Sequence, residues 1–214
     1  VGFANEVGLL CKELGIDSHT VLAIFVQVTQ LNISPNYLKP GFAFGGSCLP
    51  KDLRAIIYHS RRLDLSADVL ESILPSNRRQ VDRAFQMIKR TGYKRVGVLG
   101  LSFKAGTDDM RESPLVELIE RLIGKGYQVS VYDRNVSLAH LQGANRAYIE
   151  KEIPHIASLM RDDPADVVAE GEVVVVGNRS DEFGPALDQT RPDQVVIDLV
   201  RLFDSPNGLS AQYD

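Results

Sequence analysis

The chain has 214 residues, of which 44% are hydrophobic and 24% charged, as in ordinary soluble globular proteins. Its formal net charge of −4 provides no basic surface for nucleic acid or anionic lipid, and no apolar run approaches the roughly 20 residues of a membrane-spanning helix. We therefore expect one or two soluble domains that bind neither nucleic acid nor membrane.

The first residues have the pattern of a helix already in progress. Phe3, Val7, Leu10 and Leu14 recur at spacings of three and four, and neither a capping residue nor a signal-peptide arrangement precedes them. Gly15 is expected to end this helix. The pattern predicts that the chain starts within a helix, either as a fragment or after removal of an upstream part.

A second helix and a long loop are expected next. Asp17 or Ser18 can cap a helix that continues to about residue 28. Residues 32–52 are rich in Pro and Gly and follow neither the helical nor the strand period. Because long irregular loops in compact regions are usually functional, this loop is the first candidate for a site.

Two more helices are expected before the sequence changes character. Pro50 fits the first turn of a helix that reaches about residue 63, since proline is favoured at that position. A longer helix is expected at about residues 68–90. These helices complete an all-helical first region that ends near residue 92.

From residue 94 onward, short apolar strands alternate with helices. Ser113 as cap, Pro114 in the first turn and Gly124 as stop define a helix. Strands are predicted at residues 95–101, 127–132, 172–176 and 194–199. Strands that alternate with helices predict right-handed βαβ units, and thus an α/β fold with a Rossmann-like, doubly wound parallel sheet.

The two cysteines have different contexts. Cys11 and Cys48 show no disulfide spacing, which predicts a reducing compartment, and we expect a cytoplasmic protein. Cys11 lies among leucines in a helical pattern and is most simply a core residue. The four histidines are isolated in sequence, and no metal site is predicted from them.

Cys48 is the strongest candidate for chemistry. It follows two glycines and directly precedes a helix, where free backbone N–H groups and the helix dipole favour a thiolate. Lys51 adds a positive charge, and Asp52 adds a carboxylate that can orient water or act as a base. On this local chemistry alone, a buried and inert cysteine beside a capped helix is an equally good interpretation.

Two motifs resemble those of a known family. The run PGFAFGGSCLPKD at residues 40–52 resembles the active-site loop of the UDP-glucose/GDP-mannose dehydrogenase family, and GLSFKAGTDDMRESP at residues 100–114 resembles its nucleotide-binding loop. The run FANE at residues 3–6 is similar to the end of the family's long central helix. The resemblance covers nearly the whole chain and weakens after about residue 200. It implies a central helical, dimerising domain at residues 1–92 and a C-terminal nucleotide-sugar-binding domain at residues 93–214.

The resemblance implies a four-electron oxidation, in which the C6 hydroxyl of a nucleotide-linked hexose becomes a carboxylate and two NAD molecules are reduced. Cys48 would carry the covalent intermediate and Asp52 would place or deprotonate water. The runs at residues 31–34 and 102–109 resemble GDP-mannose-oxidising members more than UDP-glucose-oxidising ones. The family's NAD-binding half has no counterpart here, so we expect no turnover from this chain alone. A homodimer through the helical region is expected as well.

The same resemblance assigns binding roles. Lys51 and Arg111 would face NAD. The sugar nucleotide would contact Asn5, Asn36, Tyr37, Lys39, Phe42 and Lys104. GDP-mannose-type members tend to carry an aromatic residue at position 36 and an arginine at position 39, so the contacts of Asn36 and Lys39 depart from the family pattern.

Other interpretations remain open from the residues. Gly97, Gly100 and Asp133 suggest an NAD site at the first strand of the sheet, although the G-x-G-x-x-G spacing is missing. The charges at residues 108–112 are equally typical of a solvated helix start. At the level of function, the alternatives are a UDP-sugar dehydrogenase fragment, a non-catalytic nucleotide-sugar-binding module, and a domain that serves only in dimer formation.

Overall fold

The computed structural model describes part of the chain, namely residues 4–5, 8, 11–12, 14–27, 40–62, 64, 67–102, 109–136 and 154–203. Its first region is helical, with α1 at Ser18–Phe25, α2 at Leu49–Arg62 and α3 at Asp68–Arg90. The bounds predicted for α3 are confirmed. No helix in these described ranges combines the length and the apolar character needed to cross a bilayer.

Local signals explain where these helices begin and end. Asp17 caps α1, because its carboxylate accepts a hydrogen bond from the backbone N–H of His19 at 3.1 Å. Gly15 has a φ of 67° and ends the preceding helical segment, as predicted. Cys11, in that segment, is 6% exposed, so its assignment to the core is confirmed.

The second region is built on a parallel sheet of four described strands. They are β1 at Arg95–Leu99, β2 at Gln128–Tyr132, β3 at Val173–Val176 and β4 at Val195–Asp198. Their order is β2-β1-β3-β4, and every neighbouring pair is parallel. The chain leaves β1 toward one edge and returns to its other side, which confirms the predicted doubly wound sheet.

Four described helices accompany the sheet: α4 at Pro114–Gly124, α5 at Pro154–Ala157, α6 at Pro164–Glu170 and α7 at Phe183–Leu187. Ser113 caps α4 as predicted, with its hydroxyl accepting from the N–H of Leu115. The last residue of α4 is Gly124, the glycine predicted to stop it. The left-handed conformation that follows the helix is taken by Gly126, with a φ of 74°, and not by Gly124.

Helices cover both faces of the sheet. One face packs against α3 and α4, and its core includes Phe85, Ile88 and Leu118. The other face packs against α6 and α7 around Phe183 and Val167. Thus α3, which lies in the helical first region, contributes apolar side chains to the core of the sheet.

A buried carboxylate fixes the turn that follows β1. Asp133, which follows β2, is 3% exposed, and its Oδ2 accepts from the N–H groups of Leu101 and Ser102 at 2.8 and 2.9 Å. The same oxygen also accepts from Ser102 Oγ and Asn178 Nδ2. Gly100 is required beside it, because a Cβ there would lie 2.5 Å from the Asn178 side chain. The carboxyl ends of β1, β2 and β3 are thereby tied together.

Candidate functional site

The cysteine loop, which we define as residues 40–48, packs against the turn that precedes α4 in the sheet region. Gly46 has a φ of 86° and donates its backbone N–H to the carbonyl of Arg111 at 3.1 Å. At Gly45 the backbones approach so closely that a Cβ would lie 2.3 Å from the carbonyl oxygen of Glu112. These two glycines therefore allow the loop to lie directly on the turn that precedes α4.

Two asparagine side chains hold the start of this loop. Asn77 of α3 accepts the N–H of Phe44 at 2.9 Å and donates to the carbonyl of the same residue at 2.8 Å. Asn5 accepts the N–H of Gly41 at 3.1 Å and donates to the carbonyl of Phe42 at 3.4 Å. Each amide therefore replaces the partners that a neighbouring strand would provide.

An ion pair fastens α2 to the same turn. The guanidinium of Arg54 makes two hydrogen bonds to the carboxylate of Glu112, one of them between Nη1 and Oε2 at 3.0 Å. About half of each side chain is exposed, so solvent weakens the attraction. Glu112 itself has a φ of 51°, an uncommon conformation for a residue other than glycine.

Cys48 is exposed and directly precedes α2. Its carbonyl accepts the N–H of Asp52 at 2.9 Å, as expected at the start of a helix. Its Sγ lies 3.7 Å from the hydroxyl of Ser47, and the next residue, Leu49, is largely exposed. The thiol is thus accessible, and the interpretation of Cys48 as a buried residue is wrong, while its reactivity stays a prediction.

The two charged residues of the first turn of α2 lie beside this thiol in sequence. Lys51 Nζ and Asp52 Oδ1 are 3.4 Å apart, and both side chains are about two-thirds exposed. An ion pair of this kind is weak in water. Both groups therefore remain available to an anionic ligand or to a water molecule.

Arg111 forms a closed pair with a near neighbour. Its Nε and Nη2 donate to the two carboxylate oxygens of Asp109 at 2.8 and 2.9 Å. These hydrogen bonds hold the pKa of Asp109 below its usual range. About half of the Arg111 side chain is exposed, so the guanidinium still presents positive charge beside the cysteine loop.

A cleft of about 290 Å³ lies behind the loop, between α2, α3 and α4. Its lining includes Phe44, Pro50 and Arg54 from the loop and α2, and Glu117 and Glu120 from α4. Cys48 and Asp52 do not line it. The thiol therefore lies on the exposed side of the loop and not in this cleft.

Several predicted site residues are placed by the structure and others are not. Cys48, Lys51 and Asp52 share one turn, and Arg111 meets the same loop through its backbone. Asn5 is 4% exposed and its amide is bonded to the loop, and Phe42 is partly buried against the core, so their substrate contacts stay predictions. Asn36, Tyr37, Lys39 and Lys104 lie outside the described residues.

The sequence interpretation missed Asn77, Arg54 and Glu112. Each acts across at least 33 residues of chain, so no local motif marks it. For Asn77 too, the sequence gives no signal, because the burial of its neighbours Ser76 and Gln80 on α3 is seen only in the structure.

The structure gives Asp133 a structural role at the sheet. Its carboxylate is buried, with Oδ2 accepting from the N–H groups of Leu101 and Ser102 and Oδ1 accepting from the N–H of Asn135. The glycine spacing of a dinucleotide fingerprint is also missing from this turn. These observations do not favour the alternative NAD site, which stays a prediction.

Comparison with known proteins is consistent with this geometry. Residues 1–79 match the family model of the UDP-glucose/GDP-mannose dehydrogenase family, central domain, and residues 97–205 match the family's UDP binding domain. A GDP-mannose 6-dehydrogenase of Pseudomonas putida is 48% identical over 212 residues, covering 99% of this chain and 48% of that protein.

Solved structures show the same relationship. The crystal structure of a ternary complex of GDP-mannose dehydrogenase from Pseudomonas aeruginosa matches with a TM-score of 0.77 and 48% identity, over 95% of this chain and 47% of that chain. A UDP-glucose dehydrogenase from Pyrobaculum islandicum matches with a TM-score of 0.76 and 32% identity, over 94% and 44%. The chain spans about half the length of these relatives. By its two family-model matches, the chain belongs to the UDP-glucose/GDP-mannose dehydrogenase family.

Proposed function

We propose that this chain forms the thiol-bearing and nucleotide-sugar-binding part of an NAD-dependent nucleotide-sugar 6-dehydrogenase that acts on GDP-mannose. The observation that carries the proposal is the exposed Cys48, which directly precedes α2 in a loop that matches the family's sequence and whose Gly46 bonds to the carbonyl of Arg111. An exposed thiol between two glycines and a helix start suits covalent catalysis.

Cys48 provides the nucleophile for the second half of the oxidation. Its thiolate adds to the C6 aldehyde and forms a thiohemiacetal; loss of a hydride then gives a thioester, which water hydrolyses to the carboxylate and the free thiol. Asp52, on the same turn and largely exposed, positions this water or removes its proton. When bound, NAD accepts the hydride in each of the two oxidation steps.

Lys51 and Arg111 are the residues of this chain that would face NAD. Both present positive charge on the side of the molecule that carries the cysteine loop, and such charge suits a diphosphate. For Arg111 to bind a phosphate, its bidentate pair with Asp109 must open or be shared. Lys104 is proposed to reach the sugar nucleotide from the second domain.

Guanine is favoured over uracil by the degree of similarity. Identity to the two GDP-mannose enzymes is 48%, whereas identity to the archaeal UDP-glucose enzyme is 32% at nearly the same structural similarity. Because the folds are equally similar, this difference in sequence identity favours GDP-mannose, the substrate named for the more similar enzymes. UDP-glucose is the competing substrate.

NADH formation tests the proposal directly. The full-length protein should reduce NAD with GDP-mannose and not with UDP-glucose, and Cys48→Ser should abolish carboxylate formation. The 214 residues alone should show no turnover, and mixing them with the N-terminal half of a relative tests for complementation. Preferential activity with UDP-glucose would overturn the substrate assignment. Activity of the 214 residues alone would contradict the proposal that catalysis requires a separate NAD-binding half.

Alkylation tests substrate binding by the chain itself. Cys48 is exposed and Cys11 is buried, so iodoacetamide should label Cys48 selectively, and GDP-mannose should protect it. Mass spectrometry of the two cysteine-containing peptides measures the alkylation rates of Cys11 and Cys48 in one sample. Equal labelling of the two thiols, or labelling unaffected by nucleotide sugar, would contradict the proposed site. Calorimetry of GDP-mannose with Cys48→Ser then measures binding without the thiol, and NADH formation by the wild type distinguishes an enzyme from a binding module.

A further inference from the structure

We infer that Asn77 is a positioning residue for the Cys48 thiol, an inference that rests on the proposed function. Asn77 lies on α3 and contacts the cysteine loop 33 residues earlier in the chain, through two hydrogen bonds to Phe44. Both are short, at 2.9 and 2.8 Å, and both are partly buried. The amide therefore fixes both the N–H and the carbonyl of a single loop residue.

The next residues transmit this constraint to the thiol. Gly45 packs on the carbonyl of Glu112, where a Cβ would be only 2.3 Å away, and Gly46 donates to the carbonyl of Arg111. Ser47 follows, and Cys48 then directly precedes α2. The backbone from Phe44 to Gly46 is thus held by α3 on one side and by the turn before α4 on the other, and only Ser47 separates it from Cys48.

Asn77 contacts the side of the loop that faces α3. It lines the cleft between α2, α3 and α4, whereas Cys48 does not. A direct contact between the Asn77 side chain and a substrate on the thiol face is therefore not required for its effect. Its removal should alter the position of the nucleophile while leaving the binding groups unchanged.

The test compares Asn77→Ala with Gln194→Ala in the full-length protein. Gln194 is a matched control, because it is a buried amide that donates to the carbonyls of Val168 and Gly171 at 2.6 and 2.5 Å, near the amino end of β4. Both variants lose amide-to-backbone hydrogen bonds, but only one of these amides touches the cysteine loop. Asn77→Asp, which keeps the acceptor for Phe44 N–H and removes the donor, serves if Asn77→Ala does not fold.

We expect Asn77→Ala to lower kcat by about tenfold to a hundredfold with an unchanged KM for the nucleotide sugar, since small misplacements of a reacting group have effects of this size. The alkylation rate of Cys48 without substrate should change as well. Gln194→Ala should leave kcat and the alkylation rate as in the wild type. Unchanged kcat in Asn77→Ala, or an equal loss in Gln194→Ala, would overturn the inference.

The proposed function and the positioning role of Asn77 can be contradicted separately. If the proposed function is wrong, the wild-type protein forms no NADH and nucleotide sugars do not protect Cys48. The alkylation rate of Cys48 still reports the influence of Asn77 in that case, because it needs no turnover. An alkylation rate that is the same in wild type and Asn77→Ala excludes Asn77 as the residue that positions this thiol.

Discussion

Gly45 is the residue at which the cysteine loop comes closest to the turn before α4. An added Cβ would lie 2.3 Å from the carbonyl oxygen of Glu112 and 2.9 Å from Cδ of Pro114. Because one of these atoms is backbone, Gly45→Ala should displace the loop and lower the free energy of unfolding by about 1–3 kcal/mol. Urea denaturation measures the change in stability, and alkylation of Cys48 measures the displacement.

Gly41 provides the control in the same loop. A Cβ at this position would meet no atom within 4 Å, and the N–H that Gly41 donates to Asn5 is retained in alanine. Gly41→Ala should therefore change stability by no more than about 0.5 kcal/mol. Equal losses for the two variants would show that a general stiffening of the loop, and not the contact with Glu112, is responsible.

At the scale of elements, the start of α1 is tied to the segment after β4. Asp17 caps α1 and also accepts a hydrogen bond from Arg201 at 2.9 Å. The hydrogen bond from Arg201, followed by that from Thr20, lowers the pKa of Asp17 to about 2. About a third of the carboxylate side chain is exposed, so solvent reduces the energy of the pair.

A lowered carboxyl pKa makes stability depend on pH in one direction. The contribution of Asp17 is complete above its unfolded pKa of 3.8 and is lost as the pH falls toward about 2. Asp17→Asn should cost about 1 kcal/mol near neutral pH, where the ion pair is intact. The difference between wild type and variant, measured by urea denaturation, should shrink between about pH 4 and pH 2. A difference that stays constant over this range would contradict the proposed linkage.

The pair of Arg54 and Glu112 joins α2 to the turn before α4. A double-mutant cycle with Arg54→Ala and Glu112→Ala should give a coupling free energy of about 0.5–1 kcal/mol, as expected for a half-exposed bidentate pair. Raising the salt concentration should reduce it. Thermal unfolding of the four proteins provides the measurement, and a coupling near zero would mean that the bridge adds nothing to the contact of Gly45 with Glu112.

The bounds of α3 and the start of α4 were predictable from local chemistry. Asp68–Arg90 has the bounds expected from its pattern, and Ser113 with Pro114 begins α4 as their capping preferences predict. The choice between Gly124 and Gly126 was not predictable, because either glycine can adopt the left-handed conformation that ends a helix. The partners of Asn77 and Arg54 were also inaccessible, since a hydrogen bond across 33 or 58 residues depends on tertiary packing.

At the scale of the whole molecule, the described helical region leaves large apolar side chains exposed. Four lie within residues 14–25, namely Leu14, Ile16, Ile24 and Phe25. Such a concentration is typical of an interface. We propose that the helical region forms the expected homodimer through this surface. Phe25→Glu should therefore weaken self-association, measured by sedimentation or light scattering at micromolar concentration.

Val69 is the control for that experiment. It is the most exposed large apolar side chain described, at 77%, but it lies on α3 and not within residues 14–25. Val69→Glu should leave the dimer intact. A monomeric wild-type protein would exclude the dimer, and equal effects of the two glutamates would place the interface elsewhere.

The doubly wound parallel sheet followed from the sequence, whereas the role of one residue at the sheet did not. Alternating strands and helices predicted a doubly wound sheet, because connections between parallel strands are right-handed. By sequence, Asp133 occupies a position that suits a ribose ligand. In the structure its buried carboxylate instead accepts hydrogen bonds from the backbone of the turn after β1. Sequence position cannot distinguish these uses, since both require a carboxylate at the end of a strand.

The packing of α3 limits how this protein can be recombined with its relatives. Phe85 and Ile88 of α3 belong to the core on one face of the sheet, while Asn77 on the same helix holds the cysteine loop. A chimera joined near residue 92 would combine α3 from one parent with the sheet of the other. The side chains of α3 would then pack poorly against that sheet, and a shift of α3 would also displace the cysteine loop. A junction placed before the cysteine loop takes the loop, α3 and the sheet from one parent, and it therefore keeps both the contact of Asn77 with Phe44 and the packing of Phe85 and Ile88.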